Sequence, residues 1–203
     1  MTRFLRCGRE ALLVEVDDLD AALGLYAALR EARLPGVIDL VPAARTVLIR
    51  LDPAITSPAE VREATSALPL KGPSRGYAGS VEIPVTYNGP DLPDVAAHLG
   101  VTPAEVIKLH TSARWTVAFS GFAPGFGYLT GPELDVPRRD SPRTRIPAGS
   151  VGLAGRFSGV YPHDSPGGWQ LIGTTTIRMW DLDRPEPALL VPGVQVTFRA
   201  VES

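Results

Sequence analysis

The sequence predicts an α+β protein in two parts: a small mixed domain over residues 1–79, then a mostly β domain over residues 80–203 that closes into a barrel or nearly so. Three observations carry this. Up to Pro69, short β-type runs alternate with two helical segments that bear start and stop signals. Lys71–Gly79 (KGPSRGYAG) has the composition of a linker. From Phe119 to Thr175, proline or glycine interrupts the chain every few residues. That excludes helices of ordinary length, because proline lacks the amide N–H and glycine weakens a helix interior. Phe119, Phe122, Phe126, Tyr128, Phe157, Tyr161 and Trp169 run through the same stretch, so it reads as short strands joined by tight turns and not as a solvated tract.

Taken in order, Ala11–Val16 (ALLVEV) reads as a strand. Asp17–Asp20 supplies N-cap candidates for a helix reaching Arg33, with Leu19, Leu23, Tyr26 and Leu29 near helical spacing and Pro35-Gly36 as the stop. Val37–Val41 and Thr46–Leu51 are strands joined by a turn at Pro42–Arg45. Ser57-Pro58-Ala59-Glu60 opens a second helix with a capping box and a proline at its first position, and the helix fades by Leu68-Pro69. The order β-α-β-β-α is close to a split βαβ, ferredoxin-like unit, for which Ser80–Tyr87 (SVEIPVTY) is the candidate last strand. A short helix follows at Asp91–Leu99, then a second capping box at Thr102-Pro103-Ala104-Glu105 with a helix to Thr111. Arg114–Ser120, Ile172–Trp180 and Gln195–Val201 read as strands, and many short β segments between frequent turns suggest the barrel.

Composition narrows the function. A hydrophobic fraction of 44% and a charged fraction of 21% are those of an ordinary globular protein. A net charge of -2, with no long run of one sign, gives no general pull towards nucleic acid or a membrane surface. Cys7 stands alone, so no internal disulfide forms and a reducing compartment is expected. With no signal-peptide pattern and no apolar run of spanning length, the expectation is a soluble cytoplasmic protein.

The strongest charge signal is the cluster Arg138, Arg139, Arg143 and Arg145, held among Pro137, Pro142 and Pro147. Guanidinium forks suit carboxylate or phosphate, so the cluster reads as a site for one small anion; a solvated loop or a subunit interface would use the same residues. The glycines at Gly125-Phe126-Gly127 and Gly149-Ser150-Val151-Gly152 offer backbone N–H nests for an oxyanion, although tight turns alone demand them too. His163-Asp164-Ser165 holds the residue types of a hydrolytic triad, but neighbours in an extended segment point to alternate faces, so an intact local triad is not expected, and either His163 or Ser165 is the candidate to face a site. His98 and His110 each end a helix, where the dipole favours them, and His110 also precedes the strand feeding Gly121-Phe122. Neither has zinc-ligand spacing, no metal site is expected, and no phosphate-binding or dinucleotide-binding glycine motif is present.

Pro124-Gly125-Phe126-Gly127-Tyr128-Leu129, Pro137-Arg138-Arg139, Pro142-Arg143, Pro147-Ala148-Gly149-Ser150-Val151-Gly152, Tyr161-Pro162 and Ser165-Pro166-Gly167-Gly168-Trp169-Gln170-Leu171-Ile172-Gly173 occur in an order that resembles one family. It is the 5-oxoprolinase B-subunit family, also called KipI-like or allophanate hydrolase subunit 1. One departure is that Gly155-Arg156-Phe157-Ser158-Gly159 stands where the family often has Gly-x-Gln-Thr-Gly, so Phe157 replaces a glutamine amide.

The resemblance implies a small α+β domain followed by a cyclophilin-like β-barrel, and similarity to half of a urea carboxylase carboxyltransferase module. It implies work in a complex with two partners, a sister barrel of the 5-oxoprolinase C type and a third component of the A type, cleaving 5-oxo-L-proline to L-glutamate with ATP and magnesium. It further implies that Arg138, Arg139 and Arg143 hold anionic groups, that the turns at Gly125 and Gly149 present N–H donors, and that Phe126, Tyr161, Trp169 and Gln170 contribute to substrate binding, with His163 and Ser165 bordering the pocket as catalytic candidates. Two alternatives stay open: an inhibitor of a sporulation histidine kinase, and part of an allophanate- or urea-type amide hydrolase or carboxyltransferase. Prolyl isomerisation rests on fold analogy alone, which does not carry function.

Overall fold

The computed structural model describes residues 2–69, 78–132 and 134–202. The chain divides into two compact units, residues 1–75 and 76–203. Most of the expected linker, residues 71–77, lies outside the described residues.

In the first unit, strands β1 (Arg3–Arg6) and β2 (Ala11–Glu15) form a hairpin. Helix α1 (Leu19–Ala32), strands β3 (Val37–Pro42) and β4 (Thr46–Leu51), and helix α2 (Pro58–Ser66) follow. The sheet is antiparallel in the order β1-β2-β4-β3. Alternate residues Leu12, Val14, Val47, Ile49 and Leu51 turn inwards onto Leu25 and Leu29 of α1 and Val61 of α2, as the two-residue period of a strand requires. Both helices begin as the sequence says: the Asp18 carboxylate accepts from Ala21 N at 2.8 Å, and the Ser57–Glu60 box closes with Ser57 N donating to Glu60 Oε2 at 2.8 Å. β2 and β3 run parallel with β4 between them, so the split βαβ arrangement is present.

The fourth strand corrects the expectation. Its place beside β2 is taken by β1, whose sequence RFLR shows no alternation of burial. Ser80–Val85 is a strand, β5, but it belongs to the second unit, where it runs parallel to β13 (Gln195–Ala200) over six residue pairs, Gln195↔Ser80 to Ala200↔Val85. Ile83 and Val85 are thereby fully buried.

The second unit continues with α3 (Leu92–Leu99), α4 (Pro103–Ser112), β6 (Trp115–Ser120), β7 (Gly127–Thr130), β8 (Arg143–Ile146), β9 (Ser150–Ala154), β10 (Phe157–Val160), β11 (Ser165–Gly167) and β12 (Gln170–Thr174). Seven strands form one sheet, β12-β9-β10-β7-β6-β13-β5. Its two ends meet at Thr86 and Thr174, whose backbones exchange two hydrogen bonds of 2.9 Å, and the barrel is nearly closed. The expected strand Ile172–Trp180 stops at Thr174; beyond it the chain leaves the sheet, although Met179 returns to the core. β8 and β11 pair separately as a short ribbon. Trp115, Leu129, Val151, Leu153, Ile172, Met179 and Val196 fill the interior. Among the described residues no helix is long and apolar enough to cross a membrane.

Candidate functional site

The turn-rich segment builds a second apolar cluster on the outer wall of the barrel. Along β7, β9, β10 and β12, Leu129, Leu153, Ser158 and Ile172 are buried on the inner side, while their neighbours Tyr128, Ala154, Phe157 and Leu171 belong to the outer cluster with Phe126, Tyr161 and Trp169. Phe126 sits at its centre, with ring centroids 5.0 Å from Tyr128, 5.4 Å from Tyr161 and 5.3 Å from Trp169, all edge-on, the arrangement that aromatic quadrupoles favour. Gly125 precedes it with φ +85, and a Cβ there would meet Trp180 Cβ at 2.9 Å; the turn needs glycine for both reasons. Phe122 is a bulky residue at φ 67 and stays 57% exposed while its ring leans on Phe126 and Tyr161. Strain of this kind in a non-glycine residue persists where the surroundings enforce it, often at functional positions.

Beside this cluster lies a cavity of about 410 Å³ walled by Tyr128, Phe157 and Trp169, floored by Ala154 and Gly155, and bordered by Pro137 and Arg138. That volume is in the range of small-molecule sites. Pro137 and Arg138 also border an adjoining depression of about 370 Å³, together with Asp94, Arg139, Asp140 and Gln170. Phe157, the residue that departs from the family pattern, is thus a wall of the cavity. Burial raises the Tyr128 and Tyr161 hydroxyls above their ordinary values against the opposing charge of Arg138, so both stay protonated and able to donate near neutral pH.

The arginines divide into two groups. Asp91, 2% exposed, accepts from Arg139 Nη1 at 2.9 Å, from Arg143 Nη1 at 2.9 Å and Nη2 at 2.7 Å, and from Leu171 N at 2.7 Å. Burial alone raises its carboxyl, but the Arg143 and Leu171 hydrogen bonds and the two guanidinium charges together outweigh it and hold the carboxyl below the usual range. Arg145 pairs with Asp164, whose carboxylate also caps Ala148 N at 2.9 Å. Arg139, Arg143 and Arg145 are therefore engaged in ion pairs within the chain, whereas Arg138 has no ion-pair partner among the described residues. Sequence reasoning missed Asp91, placing it only as the first residue of the short helix Asp91–Leu99; its side chain makes no cap hydrogen bond and serves as the anchor of the arginine segment.

The other expected site residues fall in different places. Gly149 has φ +80, and a Cβ there would overlap the Thr175 carbonyl oxygen; its N–H donates to Tyr161 O at 2.8 Å and so is not available to an oxyanion. His163 is exposed with Nδ1 2.9 Å from Asp164 O, and Ser165 Oγ donates to His163 O at 3.2 Å. Histidine, aspartate and serine do not converge, because Asp164 faces Arg145 and Ala148 and the Ser165 hydroxyl bonds main chain. Gln170 donates to Pro137 O at 3.3 Å, and its Oε1 and Arg139 Nε are both buried without a partner. His110 lies in the barrel core, fully buried, with Nδ1 2.7 Å from Tyr87 Oη and Nε2 2.9 Å from Ser158 Oγ.

The second unit is thus a small, nearly closed barrel with an aromatic, arginine-bordered cavity on its outer wall. The family described as carboxyltransferase domain, subdomain C and D, matches residues 2–190, and the chain belongs to that family. It is 43% identical to the 5-oxoprolinase B subunit of Escherichia coli O157:H7, over 84% of this chain and 81% of that protein. It is 39% identical to the 5-oxoprolinase B subunit of Bacillus subtilis (strain 168), over 96% of this chain and 87% of that protein. Among solved structures, that of TTHA0988 superposes with a TM-score of 0.75 at 36% identity, covering 100% of this chain; the chain spans 41% of TTHA0988's length.

Proposed function

We propose that this chain is one subunit of an ATP-dependent 5-oxoprolinase that opens 5-oxo-L-proline to L-glutamate, active only with partner subunits. The observation that carries the reading is the identity of 39–43% to two proteins of that name across 81–87% of their lengths. The outer-wall cavity supports it: aromatic walls suit a small ring, and a guanidinium at the border suits its carboxylate. A lactam resists water. Transfer of the ATP γ-phosphoryl group to the amide oxygen releases ADP and makes that carbon electrophilic; water then adds there, the C–N bond breaks and phosphate leaves, giving glutamate. The names of the relatives favour this reading over the kinase-inhibitor and urea-type alternatives.

The test is reconstitution. The chain mixed with both partners, the sister barrel and the third component, is expected to release glutamate and ADP in equal amounts from 5-oxo-L-proline. An inert mixture of subunits that are each folded and assembled overturns the proposal.

A further inference from the structure

Resting on that reading, we infer that Arg138, and not the rest of the arginine cluster, receives the ligand's carboxylate at the mouth of the aromatic cavity and sets the preference for a lactam acid over the bare lactam.

Four guanidinium groups crowd into eight residues, yet three are committed. Arg139 and Arg143 share the buried carboxylate of Asp91, and Arg145 is paired with Asp164. A ligand carboxylate taking the two-pronged fork of Arg143 would have to displace Asp91 and leave a buried carboxylate short of its main partner, and Arg139, which gives Asp91 one Nη1 donor, already shares its charge with that carboxylate. Arg138 carries no such obligation. Neither Asp94 nor Asp140, which share the adjoining depression with it, comes within ion-pair distance, and its guanidinium is exposed.

Placement does the rest. Arg138 borders both the aromatic cavity and the adjoining depression, with its neighbour Arg139 fastened to Asp91 and the Arg139 N–H donating to Gly168 O at 2.9 Å. The main chain that carries Arg138 is therefore held on its carboxyl side by a side-chain ion pair and a backbone bond. Tyr128, Phe157 and Trp169 wall the cavity with apolar, uncharged rings, so a negatively charged ligand is admitted only with its charge turned towards a cation at the border. That orients the ligand: ring against the aromatic walls, carboxylate at Arg138.

The experiment is calorimetric binding to the assembled complex of 5-oxo-L-proline and of 2-pyrrolidinone, the same ring without the carboxylate, alongside turnover. The unaltered complex is expected to prefer the acid. Arg138→Gln is expected to weaken acid binding by about 10- to 100-fold, the range for a lost charge-assisted pair, and to leave 2-pyrrolidinone binding within about twofold, so that the preference collapses. Arg138→Lys restores part of it. Arg138 is a surface side chain, so these variants fold; Arg139→Gln is the control and is expected to lower stability while retaining the preference. The inference is overturned if Arg138→Gln keeps the preference, if Arg139→Gln alone abolishes it, or if the unaltered complex binds neither compound. An unaltered complex that binds the acid but releases no glutamate overturns the proposed reaction while the binding comparison still decides Arg138.

Discussion

Acid sensitivity of the barrel turns on one core residue. His110 is fully buried, its ring stacked on Phe198 at 4.2 Å and bonded to Tyr87 and Ser158, and burial drives its pKa from 6.5 down to about 3. Between those two values the unfolded chain binds a proton that the folded chain refuses, so stability falls as pH is lowered through the window and is flat above it. One proton is worth about 1.4 kcal/mol per pH unit, and the unfolded histidine is already half protonated at pH 6.5, so lowering the pH from 6.5 to 4.5 removes about 2.3 kcal/mol. With a urea m-value of about 1–3 kcal/mol/M for a unit of this size, the midpoint moves down by roughly 1–2 M. Other groups stay out of the window: Glu105 and Asp164, held low by hydrogen bonds from Thr102 and Ala148, and Asp91 lose their contributions only below about pH 4.5. Trp115, Trp169 and Trp180 all lie in the second unit, so tryptophan fluorescence during urea unfolding reads that unit alone. The slope is expected in the unaltered chain and absent in His110→Gln, whatever the offset of that variant. A midpoint that does not move between pH 6.5 and 4.5, or an equal slope in the variant, refutes the assignment.

Two further expectations concern the frame of the site. Asp91→Ala leaves Arg139 and Arg143, 32% and 24% exposed, without a counter-ion and Leu171 N–H without an acceptor. Breaking such a pair costs about 3–5 kcal/mol when fully buried, and the partial exposure reduces this to about 2–4, read as a lowered urea midpoint. Gly149→Ala forces a Cβ onto the Thr175 carbonyl at φ +80 and is expected to destabilise by about 2–4 kcal/mol in the same assay, whereas Gly155→Ala, with positive φ but open space around it, costs only about 1. Equal losses at the two glycines would show that close approach plays no part.

What was legible in the sequence is what is decided locally. The capping boxes at Ser57 and Thr102 form as expected because their groups lie three residues apart: Thr102 N donates to Glu105 Oε2 at 2.7 Å with no help from the rest of the fold. Among the described residues, the absence of helix from Phe119 to Thr175 follows from proline and glycine alone. Non-local choices were not legible. SVEIPVTY alternates well enough to be a strand, but its pairing with β13 lies 115 residues away in sequence, as Gln195 opposite Ser80 (195 − 80 = 115), and nothing local chooses that partner over the first sheet. The arginine run announces a charged site without saying that its counter-ion sits 48 and 52 residues upstream, so three of its members read as ligand-facing when two are anchors.

Why the site lies outside the barrel follows from the barrel's size. Seven strands enclose room only for side chains, and Trp115, Leu129, Val151, Leu153, Ile172 and Met179 occupy it with 0–1% exposure. The proposed ligand site therefore lies on the outer wall, where a strand offers only every second side chain and the remaining walls have to come from elsewhere. Here they come from excursions that leave the sheet and fold back on it: residues 121–126 carry Phe126 inwards, residues 137–145 bring the arginines, and residues 161–169 bring Tyr161 and Trp169. An excursion of that length reverses direction within a few residues and must lie flat on its own barrel, which is why Gly125 presses against Trp180 and Gly149 against Thr175. The density of proline and glycine is thus a consequence of building a cavity on a convex surface, and Asp91 is what makes the arrangement rigid. One buried carboxylate fixes Arg139 and Arg143, and with them the segment that carries Arg138, to the start of α3 and to β12.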